Sequence, residues 1–135
     1  MKGDADMASG SSLATLDQRR AAHAWDVVDA VASRADKEKK EFGTQAKKLP
    51  TRIMAAGLGQ ALAFLEAQKY APELRDALAD WIHRRRPSAS ADPEQKRLVV
   101  RIIRGAADFL RFATAECLAY LQWLVRFADA RGLTD

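Results

Sequence analysis

From Cys117 to Ala130 the chain carries apolar residues on two helical faces at once, and that pattern leaves few folds open. Cys117, Leu118, Leu121, Leu124, Val125 and Ala128 repeat at helical spacing along one face, while Tyr120, Trp123, Phe127 and Ala130 form a second. Only a narrow strip through Gln122, Arg126 and Asp129 is polar. A helix that is apolar over most of its circumference must lie at the centre of a bundle or be half-covered by a partner.

The rest of the chain repeats the helical period. Trp25, Val28 and Ala32 continue from Ala21, and Ala24, Val27, Val31 and Ala35 widen the stripe, so a first helix is expected from about Leu13 to Lys40. Gly43, in Phe42-Gly43-Thr44, is placed to cap it. Pro50 fits the first turn of a short helix reaching about Ala56. After the interruption at Gly57-Leu58-Gly59, another helix runs to Lys69, burying Leu58, Ala61, Leu62 and Leu65. Pro72 opens the next, which ends near Arg86 with Leu74, Leu78, Trp81 and Ile82 inward. Pro87 to Pro93 reads as the clearest loop. Glu94 to Ala130 is helical almost throughout, with an inward stripe of Leu98, Val99, Ile102, Ile103, Ala106, Phe109 and Leu110 and a break near Gly105 and Asp108.

No run alternates β-branched residues between turn clusters, so strands are not expected. The predicted fold is all-α: a compact bundle of about six helices in one domain spanning residues 13–135, preceded by a flexible tail over residues 1–12. Hydrophobic residues make up 48% and charged residues 30% of the 135, a globular rather than a disordered balance. No run approaches the roughly 20 apolar residues needed to cross a bilayer. The N-terminal residues lack the apolar stretch of a signal peptide. The single cysteine, Cys117, precludes an internal disulfide framework, and a reducing, cytoplasmic location is expected.

An inventory of reactive groups finds little for catalysis. His23 and Asp26, and Asp80 and His83, are each spaced to share a helical face, but two ligands do not make a metal site, and both histidines read as solvated surface residues. Helical ribonucleases of the HEPN type carry arginine followed, after four to six intervening residues, by histidine; here Leu16, Asp17 and Gln18 precede one histidine at those positions and Asp76, Ala77 and Leu78 the other. Cys117 lies in an apolar stripe and reads as a buried structural thiol. Gly57-Leu58-Gly59 lacks the lysine-serine pair and the preceding strand of a phosphate loop. No catalytic residue, metal or cofactor is expected.

Basic residues are better organised. The formal net charge is +4. Lys47, Lys48 and Arg52 form a patch free of acids, and His83-Arg84-Arg85-Arg86 ends a helix, where positive charge complements the macrodipole. Arg97, Arg101, Arg104 and Arg111 fall at i, i+4, i+7 and i+14, which on a continuous helix is one ridge of guanidinium groups. Such a ridge suits a sugar-phosphate backbone, and it also fits a solvated face whose arginines pair with neighbouring acids.

Several segments together resemble a known family. Glu38-Lys39-Lys40-Glu41-Phe42-Gly43-Thr44-Gln45-Ala46-Lys47-Lys48-Leu49-Pro50 is followed by Gly57-Leu58-Gly59-Gln60-Ala61-Leu62-Ala63-Phe64-Leu65, and later by Thr114-Ala115-Glu116-Cys117-Leu118-Ala119-Tyr120-Leu121-Gln122-Trp123-Leu124 and Arg126-Phe127-Ala128. In order, spacing and length these resemble the small subunit of the type III-B CRISPR effector, the Cmr complex, grouped with the Cas11-type small subunits. The resemblance covers roughly Arg20 to Ala130. It implies a non-catalytic, all-helical protein whose copies stack along the complex beside the guide-carrying subunits and help hold target RNA against the guide RNA. Sequence specificity would then come from base pairing, with this chain meeting only backbone. On that resemblance Lys47, Lys48, Gln60, Arg111 and Arg126 are RNA-facing positions, to which Arg52, Arg97, Arg101 and Arg104 are added from the charge pattern. Thr114 and Glu116 are expected to organise the start of the final helix, and Trp25 and Trp123 to serve as core or subunit contacts. Ala56 and Val125 depart from the pattern, where a polar and a basic residue are expected. The alternative is a helix-turn-helix-like DNA-binding regulator, but no compact helix pair carries base-reading residues on an exposed second helix.

Overall fold

Most helices of this chain bury the side that their sequence period marks out, and the last one supplies the surface against which four of the others assemble. The computed structural model describes residues 13–134. The expected tail over residues 1–12 lies outside them. The elements are α1 (Leu16–Ala32), α2 (Asp36–Ala56), α3 (Leu58–Gln68), α4 (Pro72–Arg85), a 3-10 turn (Pro93–Lys96), α5 (Leu98–Arg104) and α6 (Ala107–Ala130). No strand occurs among the described residues. α6 packs against α1, α2, α3 and α4, with its broadest contact on α1. Its side chains Phe109, Ala113, Cys117, Tyr120, Leu121, Leu124 and Ala128 are buried, so the doubly apolar segment is the centre of the bundle.

Local chemistry sets the ends of α1. Thr15 caps its start: the Gln18 N–H donates to Thr15 Oγ1 at 3.0 Å and the Thr15 N–H donates to Gln18 Oε1 at 2.8 Å, a reciprocal capping box. The helix expected to run on to Lys40 stops at Ala32. The Ser33 hydroxyl donates to the Ala30 carbonyl at 2.8 Å, competing with helix continuation, and Ala35 turns extended. The inward stripe is also narrower than expected. Ala24, Val28 and Val31 are buried, whereas Trp25 is 43% exposed and rests edge-on against Phe127.

Two expected boundaries are absent. Gly43 ends no helix and Pro50 begins none; both lie inside α2. The reason is the stripe Phe42, Ala46, Leu49, Ile53, which keeps helical register across both residues and is buried throughout. Proline in a helix interior loses one ladder hydrogen bond, and burial of this stripe overrides that cost. Gly57 does break the chain, with φ of 91° between α2 and α3. α5 and α6 are separated at Gly105, as the sequence indicates, but the inward stripe expected there fails in part: Ile103 is 74% exposed and Leu110 38%, because the break turns α5 away from the line of α6.

Gly43 has a different task from capping. After α6 the chain turns through Gly132, at φ of 73°, and the Leu133 N–H donates to the Ala128 carbonyl at 2.8 Å. This turn folds Leu133 into the core, where it is 2% exposed. A Cβ on Gly43 would stand 2.2 Å from the Leu133 carbonyl oxygen. The glycine is therefore a socket for the C-terminal turn. Gly43→Ala is expected to lower stability by about 1–3 kcal/mol through this overlap. In a chain ending at Ala130 the same substitution is expected to be neutral or stabilising, since alanine is the better helix former. Paired urea titrations of the four proteins measure that sign change.

Candidate nucleic-acid interface

The polar heart of the bundle is one carboxylate. Glu116, 5% exposed, accepts from Arg20 Nε at 2.6 Å and Nη2 at 3.0 Å, from Arg85 Nη1 at 2.8 Å and from Trp81 Nε1 at 2.8 Å. It thus joins α1, α4 and α6. Burial pushes its pKa up, but the hydrogen bonds from Arg20 and Trp81 and the charges of Arg85 and Arg20 outweigh that and hold it below the ordinary carboxylate value. The chain of contacts continues outward: Arg20 also meets Asp17 at 3.1 Å, and Asp17 accepts from Trp123 Nε1 at 3.0 Å. The expectation that Glu116 organises the start of the final helix is corrected here. It lies well inside α6 and binds other helices, while the Thr114 hydroxyl donates back to the Leu110 carbonyl at 2.7 Å.

Around this carboxylate, two basic clusters distant in sequence converge. Arg86 stands 4.0 Å from the centre of the Phe112 ring and Arg85 5.2 Å from the same ring. Arg101 lies 4.3 Å over Phe109, whose ring centre is 6.2 Å from that of Phe112. The end of α4, the middle of α5 and the first turns of α6 therefore form one arginine-phenylalanine patch. Partial burial, and then the neighbouring charge of Arg86, press the Arg101 pKa below its ordinary value. Neither Arg86 nor Arg101 makes an ion pair among the described residues. Guanidinium planes resting on aromatic faces are immobilised without being neutralised, which suits them to phosphate.

The other expected RNA-facing residues are spread over several elements. Lys47 and Lys48 are exposed on α2, Gln60 on α3, and Arg111 and Arg126 on α6. Arg52 is half-buried, donating to Gln45 Oε1 at 2.6 Å and lying 4.2 Å over the Phe64 ring. The continuous arginine ridge does not exist, since Gly105 interrupts the helix. Arg97 sits before α5, paired with Glu94 at 3.0 Å and with Glu66, and Arg104 lies 3.7 Å from Asp92. These two are occupied by acids, as the plainer reading of the pattern allows; Arg101 is not.

The histidines also differ from expectation. His23 is largely enclosed, its Nδ1 2.7 Å from the Tyr120 hydroxyl and its Nε2 2.8 Å from Asp80, which itself accepts from Arg84 at 2.9 Å. The neutral ring satisfies both contacts, donating from Nε2 and accepting the tyrosine proton at Nδ1. Burial raises the Tyr120 pKa above its ordinary value, and burial likewise raises that of the Cys117 thiol, so neither is an activated nucleophile. His83 is half-buried, with an Nδ1 that finds no partner among the described residues. Among the described residues no group of three or more histidine, cysteine or acidic side chains is placed to hold a metal. An open groove of about 790 Å³ lies between α1 and α4 beside His23. Its rim mixes Asp26, Asp76 and Glu73 with Arg19 and Arg34, so it lacks the single sign of a phosphate site.

Sequence reasoning read His83-Arg84-Arg85-Arg86 as a basic helix end and Phe109 as core, but missed that Arg85, Arg86, Phe109 and Phe112 converge, and missed the role of Glu116. The signals are present: three successive arginines after Trp81-Ile82, phenylalanines at i and i+3, and a single acid between Asp108 and Asp129.

A model of the CRISPR-associated protein family Cas_Cmr5 matches residues 16–131, nearly all of the described chain. The chain belongs to this family of small subunits of the type III-B Cmr complex. Membership places it among structural subunits that associate with other subunits of that complex. No helix among the described residues is long and apolar enough to cross a membrane.

The enclosed histidine makes stability depend on pH. Burial lowers the His23 pKa from its ordinary 6.5, against the opposing pull of Asp80 and Asp26 and with a small push from Arg84. The folded state favours neutral His23, so its contribution is complete above pH 6.5 and is lost as pH falls from there through the depressed folded value. Thermal melts should show the transition falling over that range. His23→Gln should flatten the fall; an unchanged pH profile in that variant would remove His23 as its source.

Proposed function

We propose that this chain is a non-catalytic subunit that stacks with further copies of itself along a cytoplasmic type III-B effector and serves antiviral defence by holding target RNA against the guide RNA. It meets the sugar-phosphate backbone and does so independently of sequence. The observation that carries this reading is the arginine-phenylalanine patch: Arg86 and Arg101 are fixed on Phe112 and Phe109 with no acid partner among the described residues. Phosphate binding needs fixed, unneutralised cations, and guanidinium groups held on aromatic rings supply them. Lys47, Lys48, Arg52, Arg111 and Arg126 as further cations, and Gln60 as a neutral hydrogen-bonding group, are the other RNA-facing residues of this reading. Arg97 and Arg104, tied to acids, contribute less.

The test is binding of the purified chain to an unstructured single-stranded RNA and to duplex DNA, each across a salt series. RNA affinity should fall linearly with salt on logarithmic axes. Arg86→Glu/Arg101→Glu should make that slope shallower by about 0.7 for each phosphate that the variant no longer neutralises. Unchanged RNA affinity in the double variant would sink the assignment of the patch. Tight binding to one particular DNA duplex would favour a DNA-binding regulator instead.

A further inference from the structure

The patch gathers three arginines on two neighbouring phenylalanine rings. Arg85 and Arg86 share the Phe112 ring, and Arg101 lies on the adjoining Phe109. Three guanidinium groups so placed repel one another, and each would gain hydration by swinging into solvent. Arg85 does not swing out, because its Nη1 is bonded at 2.8 Å to Oε1 of Glu116. Glu116 in turn is fixed by two bonds from Arg20 on α1 and by one from Trp81, one turn before Arg85 on α4. Arg85 has one bonded nitrogen and remains about a quarter exposed, so the rest of its fork is open to an incoming oxygen.

We propose that Glu116 is a positioning residue for RNA: anchored between α1 and α4, it holds Arg85 on Phe112 and so fixes the arrangement in which Arg85, Arg86 and Arg101 meet a phosphate backbone. This rests on the reading of the patch as RNA-facing. Glu116 itself is buried and does not touch the ligand. Its charge even disfavours a nearby phosphate, so its benefit is geometric: it spares the arginines the ordering that binding otherwise demands of them.

That opposition of sign makes the role testable with the full chain and a fluorescein-labelled oligouridylate at low salt. If Glu116 acted only through charge, Glu116→Gln would tighten RNA binding, since a negative charge beside the patch is removed. Positioning predicts the reverse, an affinity about three- to tenfold weaker in a protein whose circular dichroism remains helical. The same substitution in the Arg86→Glu/Arg101→Glu background should then add little, because the residues it positions are gone. Affinity that is unchanged or tighter in folded Glu116→Gln overturns the positioning role. Should Glu116→Gln fail to fold, Arg85→Lys decides: it keeps the charge but loses the planar fork, and unchanged affinity there overturns the proposal equally. If Arg86→Glu/Arg101→Glu leaves RNA binding intact while Glu116→Gln weakens it, the reading of the patch fails separately, and RNA meets another surface.

Discussion

A single buried acid fixes how the helices of this protein meet. Glu116 takes four hydrogen bonds from α1 and α4 while riding on the central helix α6. A carboxylate this deeply enclosed is tolerable only when its oxygens are fully engaged, and here two arginines and an indole engage them. Apolar packing between alanine- and leucine-rich helices is permissive of sliding and rotation. A directional hub with two charge-assisted partners is not, so it selects one register of α1 and α4 on α6. Asp17 and Trp123 extend the same constraint along the α1–α6 interface.

The hub also links core to surface. Arg85 belongs to both, bonded to Glu116 on one side and resting on Phe112 on the other. Through this residue the interior arrangement of three helices determines where the exposed cations stand. The proposed role of presenting a fixed basic surface requires such a connection, because long arginine side chains are otherwise among the costliest to order. Aromatic stacking achieves for Arg86 and Arg101 what the carboxylate achieves for Arg85. The neighbouring arginines Arg97 and Arg104 show the contrast. Tied to Glu66, Glu94 and Asp92, they brace the region around α5 and are neutralised as cations.

Much of the fold is legible in the sequence because burial follows period. The doubly apolar stretch after Cys117 announces a central helix, and Leu74, Leu78, Trp81 and Ile82 announce the inner face of α4. Errors arise where punctuation is trusted over period. Gly43 and Pro50 look like boundaries, although Phe42, Ala46, Leu49 and Ile53 keep one helical stripe across both, while the real break at Ser33 depends on a weak local signal. The candidate site is less legible for a different reason. Arginines close in sequence suggest a common ridge, but the patch joins residues 85–86 to residues 101, 109 and 112, and only the packing of three elements brings them together. A lone acid in an apolar helix marks a position that must find partners; it does not reveal which arginines they are.

The position of α6 has a consequence for how the chain reaches this state. The element that all the large helices rest on comes last among them, and the Arg20–Glu116 link spans 96 residues. Helical bundles usually fold fast because their contacts are local, but the decisive contacts here are distant in sequence. During synthesis α1 to α4 emerge before α6 and can pack on one another, but the parts of their inner faces that rest on α6 stay uncovered. Closure of the core therefore waits for α6, and until then those apolar faces are open to aggregation.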